Sequence, residues 1–185
     1  AVLRASAGSF SVGDRVEIGA PRGAVIDHGL FATTILEIGP GHQWTGRAVT
    51  VPNSIMLTTA VINETYSDNY VLHVITVPVP WDAEWSEAQA ALLEVAHEVC
   101  SDYLDEAREQ LQSQAKDQGL DPPNVAPRVT VEIPEAAKLN LLLRVPTEPR
   151  KKGVIEQRVL RRFLKAVGHR GLEAASEPHD ELADR

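Results

Sequence analysis

The sequence predicts an α+β chain in which a small β-barrel precedes a two-layer α/β sandwich. Three observations carry this. Short alternating polar and apolar runs fill residues 10–63, separated by glycine-rich turns. A strand, helix, strand, strand, helix order follows residue 70. Between the two regions the hydrophobic period changes from two to about 3.6.

In the first region, residues 15–18, 34–38 and 47–51 alternate. GAPRG at 19–23, DHG at 27–29 and GPGHQWTG at 39–46 separate them as turns. Several short strands at this spacing call for a barrel or sandwich, because one hairpin cannot bury its apolar face alone. The expected domain spans 10–66.

In the second region, VLHVITVPVP at 71–80 reads as a strand whose prolines place it at an edge or a strand end. Residues 84–116 read as one long helix, with Ala88, Leu92, Val95, Val99, Tyr103, Ala107 and Leu111 in a single apolar stripe. Ser86 or Asp82 is available to cap it, and Gly119, Pro122 and Pro123 end it. RVTVEI at 128–133 and LNLLLRV at 139–145 form two strands joined by a tight connection. Val154, Val159, Leu160, Phe163, Leu164 and Val167 mark a last amphipathic helix, with Gly168 and Gly171 near its end. This is a ferredoxin-like βαββα sandwich over 70–172, both helices on one face of an antiparallel sheet. The polar tail 173–185 is expected to be disordered.

Composition narrows the function classes. The chain has 185 residues, a net charge of −8 and one cysteine, Cys100, so an intrachain disulfide is excluded. No apolar run approaches the roughly 20 residues that span a bilayer, and no signal peptide opens the chain. The first residue is Ala1 rather than Met, so the chain is read as a piece of a longer protein. Charge is unevenly placed. Ten acidic residues between 82 and 118 stand against Arg108 and Lys116, while eight basic residues between 150 and 170 stand against Glu156. Two helices on one sheet face would therefore lie side by side with opposite charge. The alternatives are two solvated faces or the lining of an aqueous opening.

Catalytic chemistry finds no support. The six histidines show no metal-ligand spacing with one another or with Cys100, so no metal site is expected. Gly39, Gly41 and Gly46 match no phosphate loop, and no nucleophile elbow appears. Cys100 falls near the helix stripe as a small core residue. No cofactor is expected. Nucleic acid is disfavoured by a pI near 5.2 and by the lack of aromatics among the basic residues.

Five landmarks in order within residues 10–65 carry a resemblance: FSVGDRVEI, GAV, LFATT, VTVPNS and INET. Together they resemble the cytoplasmic β domain of the small-conductance mechanosensitive channel family, an Sm-like barrel. Phe10, Gly13, Asp14, Gly23, Thr34, Pro52, Asn53 and Asn63 are the motif residues, read as keeping the barrel: Gly23 for a tight turn, Pro52 and Asn53 for breaking a strand. From 70 to 172 the resemblance lies in element order. It implies membrane-spanning helices ahead of the β domain, gating in those helices, and a homoheptameric cage with side portals. The chain would then begin just after the pore helix, on the cytoplasmic side of the cell membrane. There it would serve assembly, vestibule and solute filtering, with ions and small solutes as permeants. The alternative is a soluble oligomeric Sm-like module binding nucleic acid or protein.

Three departures from the family pattern stand out. Ser9 replaces a proline, the 39–46 hairpin is long, and 174–178 lacks the character of a cage-closing strand. Arg150, Lys151 and Lys152, before the last helix, are candidate portal-lining residues that favour anions.

Overall fold

The computed structural model describes residues 10–67, 69–80 and 84–174, with side chains to residue 168. Asp82 and the tail from 175 lie outside the described residues. The chain divides into two compact units that interleave along the sequence. The first takes residues up to Val71, Ala107–Pro123 and Thr147–Gly153. The second takes Leu72–Glu106, Asn124–Pro146 and the residues from Val154.

The first unit is built on five strands: β1 (Arg15–Ile18), β2 (Arg22–His28), β3 (Ala32–Ile38), β4 (Trp44–Pro52) and β5 (Val61–Asn63). They form one sheet in the order β4-β3-β2-β1-β5. Every pairing is antiparallel. Phe10, Val16, Ile18, Val25, Ile35 and Val51 fill its core. Each fully buried Val or Ile of this kind contributes about 1.5–3 kcal/mol. Two irregularities shape the sheet. A bulge lies between Val25 and Asp27, where Ile26 turns out to solvent. Beyond Leu36, the ladder resumes only at Ile38 opposite Trp44. Glu37 holds that gap closed by accepting from Thr45 Oγ1 and Arg47 Nε, both at 2.6 Å. These two bonds keep its carboxyl below the ordinary range.

The second unit contains β6 (Val71–Pro80), β7 (Arg128–Glu135) and β8 (Lys138–Thr147) in the order β6-β8-β7, with the α-helices α1 (Trp85–Cys100) and α3 (Lys152–Ala174). The edge position of β7 admits Pro134 within it, since a proline cannot donate to a ladder. Ala91, Leu92, Val95, Ala96 and Val99 of α1 share one core with Ile155, Val159 and Phe163 of α3 and Leu139, Leu141, Leu143 and Val145 of β8. Both helices thus cover the same sheet face, as the element order predicts. Their opposite charges meet where Arg162 Nη1 lies 3.4 Å from Glu98, both exposed.

Three local expectations need correction. The stretch 84–116 is two helices, α1 and α2 (Leu104–Asp117), separated by a turn at 101–103. Ser101 Oγ donates to the Glu98 carbonyl at 2.9 Å, a local bond that competes with the helix ladder. The helix start is Glu84, without a side-chain cap; Ser86 does not cap it. In α3, Val154, Leu164 and Val167 face solvent, while Ile155 enters the core. The apolar surface of α3 is therefore wider than the stripe it buries.

Candidate functional site

The motif residues form two hydrogen-bond hubs in the first unit. At the first, Asp14 closes the entry turn. Its Oδ2 accepts from the Ser11 N–H at 2.8 Å and from Asn63 Nδ2 at 3.2 Å, and its Oδ1 accepts from Thr65 Oγ1 at 2.8 Å. The Arg15 N–H donates to Thr65 Oγ1 at 3.1 Å. Gly13 has φ +97, a conformation natural only to glycine, and its N–H donates to the Val25 carbonyl at 2.8 Å. One aspartate thereby ties β1, β2 and β5 together.

The second hub is Asn53, just past β4. Its Nδ2 donates to the Gly29 and Leu30 carbonyls at 2.9 and 3.1 Å, and its Oδ1 accepts from Thr33 Oγ1 at 2.8 Å. That bond uses the threonine's single proton. His28 Nδ1, 2.8 Å from the same oxygen, must therefore be the donor there. Phe10 packs on the edge of the His28 ring at 5.1 Å. This bracing leaves Leu30, Phe31 and Leu57 at 61%, 80% and 82% exposure, a large apolar display for a hairpin tip and its neighbouring turn. Thr34 bonds Thr50 across the sheet at 3.2 Å. Gly23 has another role than the expected turn. It lies inside β2 against the Leu36 backbone, with no room for a Cβ.

A charge cluster surrounds Glu64. Arg22 Nε lies 2.7 Å from Glu64 Oε1, and Arg22 Nη2 donates to Oε2 at 2.9 Å. The same Nη2 donates to His42 Nδ1 at 2.8 Å, which makes that ring nitrogen an acceptor. Lys152 Nζ stands 3.7 Å from Glu64. Arg15, 6% exposed, donates to the Pro149 carbonyl at 3.2 Å and lies 5.7 Å from the Trp44 ring. Burial pushes the Glu64 carboxyl up, but the Arg22 hydrogen bond and the charges of Lys152 and Arg22 prevail and hold it below the ordinary range. Burial pulls Lys152 down, more than Glu64 raises it, with Arg22 and Arg15 adding to the fall. Arg15 is lowered by burial and by Arg150 and Arg22, against Glu64.

The segment 147–153 docks onto this cluster. Gly153 sits so close to the 39–43 loop that a Cβ there would lie 2.9 Å from both the Gly41 carbonyl oxygen and His42 Cβ. His42 itself adopts φ +60, strained for a non-glycine residue. Of the three candidate portal residues, Lys152 turns inward to Glu64. Arg150 is exposed and donates to the Gly13 carbonyl at 3.1 Å, and Lys151 pairs with Glu148 at 2.6 Å. Sequence reasoning did not single out Arg15, Arg22, His42 or Glu64. The available signal was faint: Arg22 lies in the GAPRG turn and Glu64 in the INET landmark.

In the second unit His73 Nε2 lies 3.2 Å from Glu156. Cys100 is fully buried and its thiol is pushed up by burial, against a 3.2 Å hydrogen bond from Tyr103. Among the described residues no helix is long and apolar enough to cross a membrane.

Comparison with known proteins places this geometry. Residues 5–66 match the family described as mechanosensitive ion channel, beta-domain. It is a family of ion channels, not of enzymes. A comparison with curated proteins found no match. Among solved structures, the crystal structure of Helicobacter pylori MscS in its closed state is similar with a TM-score of 0.57 at 14% identity, over 100% of this chain and 62% of that one. Arabidopsis thaliana MSL1, wild type, is similar with a TM-score of 0.52 at 20% identity, over 92% of this chain and 52% of that one. At such identities the likeness is one of fold. The chain spans between about half and three-fifths of the length of these structures.

Proposed function

We propose, taking as premise that residues 5–66 are a mechanosensitive ion channel β domain, that this chain is the cytoplasm-facing part of a channel subunit. Its work is assembly with further copies of itself, expected as a homoheptamer, and the walling and filtering of a vestibule. Gating belongs to membrane-spanning helices, and among the described residues no helix is long and apolar enough to be one. The single observation that carries the reading is the β-domain match, which falls on the stretch where Asp14 and Asn53 organise the sheet.

The physical sense is consistent at each level. A mechanical element must be stiff, and the two hubs brace the turn entering β1 and the loop between β2 and β3. An assembling element must present apolar surface, and Leu30, Phe31 and Leu57 do so. A filter needs fixed charge in water, and Arg150 and Lys151 remain exposed to favour anions.

A chimera tests the reading. This chain, fused behind the membrane-spanning part of Helicobacter pylori MscS, is expected to give tension-activated currents in excised patches. A chimera that reaches the membrane as a folded protein yet stays silent at every tension would sink the proposal. Reversing the charges of Arg150 and Lys151 in that chimera should shift the reversal potential in asymmetric salt toward cation preference. An unmoved potential would remove the filtering role from these two residues.

A further inference from the structure

The cluster around Glu64 carries more positive charge than its one carboxylate can balance. Arg15, Arg22, Arg150 and Lys152 are the cations that act on one another or on Glu64 there. Four positive charges against one negative leave a surplus of three. Two further acidic side chains stand on the same segments: Asp14 accepts from the neutral donors of Ser11, Asn63 and Thr65, and Glu148 pairs with Lys151.

This surplus is not spread over open surface. Arg15 is 6% exposed, and the side chains of Lys152 and Arg22 are 12% and 22% exposed. Desolvated charge without a counter-charge is costly, so such a cluster favours an added anion. Donors are also left over. Arg22 Nε is buried and sits 2.7 Å from Glu64 Oε1, but off the line of a hydrogen bond, so its N–H has no acceptor. The Lys152 ammonium has three N–H donors and its contact with Glu64 is long, at 3.7 Å. Among the described residues Arg15 makes one side-chain hydrogen bond, to the Pro149 carbonyl, although a guanidinium offers five. Arg150 and Trp44 are the exposed members of the group.

We propose that Arg15, Arg22, Arg150 and Lys152 form a binding site for a small oxyanion of the phosphate class, which would complete the charge balance that Glu64 leaves open. Guanidinium forks match the oxygens of a tetrahedral oxyanion better than they match a spherical halide, and this sets the class. The site joins segments distant in sequence: β1, β2, the residue after β5, and the 147–153 segment. Occupancy therefore ties that segment more firmly to the β domain. Binding is measured on the chain alone, so its failure and that of the channel reading are separable.

The test is calorimetric titration of inorganic phosphate into the full chain, against sodium chloride of equal ionic strength. Saturable phosphate binding that chloride does not reproduce is expected. Lys152→Gln should weaken it about tenfold or more, the effect of losing one charge-assisted bond. Glu64→Gln should strengthen it severalfold by removing the one competing carboxylate. These opposite signs separate a ligand site from a merely structural cluster, whose two variants would both only loosen the fold. Amide chemical-shift mapping on the unmodified chain covers the case in which a variant fails to fold. Phosphate-dependent shifts should centre on residues 15, 22, 64 and 150–152. No saturable binding, binding equalled by chloride, or shifts centred elsewhere would overturn the proposal.

Discussion

Replacing Gly23 by alanine probes how closely β2 and β3 approach. Gly23 is extended backbone opposite Glu37, so its need for glycine is spatial and does not come from its φ. An added methyl would run into the Leu36 carbonyl oxygen, with the Leu36 carbonyl carbon at 2.8 Å and the Glu37 Cα at 3.2 Å. All three are backbone atoms and cannot rotate away. Relief requires the strands to part locally by roughly 1 Å, which stretches neighbouring ladder bonds past useful length. Overpacking of this kind costs about 1–3 kcal/mol, and two weakened bonds add about 1 kcal/mol each. The sum, roughly 3–5 kcal/mol, is a large share of a typical folding stability of about 5–15 kcal/mol. Urea unfolding followed by circular dichroism measures it. Gly168→Ala is the control, because on α3 a Cβ there meets nothing within 4 Å. That variant should gain about 0.5–1 kcal/mol from helix propensity. A Gly23→Ala protein within 0.5 kcal/mol of the parent, on the order of ordinary surface substitutions, would refute the close-approach argument.

Other expectations follow from the same contacts. Glu64→Gln should destabilise the chain at neutral pH. The carboxyl lies below its ordinary value in the folded state, so its contribution is full above about pH 4.3 and fades as pH falls through the folded value. The stability gap between parent and variant should therefore close only in acid, as read by thermal unfolding across pH 3–7. Asn53→Ala removes three side-chain hydrogen bonds and leaves the fully buried Thr33 hydroxyl without its acceptor. It should cost about 2–3 kcal/mol by the same denaturation assay. Cys100 should resist thiol reagents at neutral pH until the chain opens, because the thiol is buried and its ionisation is suppressed. Labelling faster than unfolding would contradict that.

Much of the architecture was legible because periodicity is local. The alternation in 15–18 and 128–133, the strand at 71–80 and the stripe through Leu92, Val95 and Val99 each express a repeat that a single element imposes on its own residues. Turn chemistry was legible for the same reason at Gly13 and Asn53. The break in the long helix was not, since it involves neither proline nor glycine; Ser101 bonds back to the Glu98 carbonyl there. The burial of Ile155 in place of Val154 was equally hidden. Both are apolar, and only the helix's rotation against its sheet chooses between them.

The charge cluster lies wholly on the tertiary side of that line. Arg15, Arg22, Glu64 and Lys152 read in sequence as ordinary polar residues of a strand, a turn, a landmark and a basic run. Their desolvation and mutual pull exist only once β1, β2 and the 147–153 segment share one volume, since electrostatic coupling depends on distance through space and on exclusion of water. By itself the sequence determined the element order, the landmarks of the β domain and the uneven charge of the two helices. The fold alone decided that Lys152 faces inward, that Gly23 is needed for space, and that one carboxylate is left among four cations.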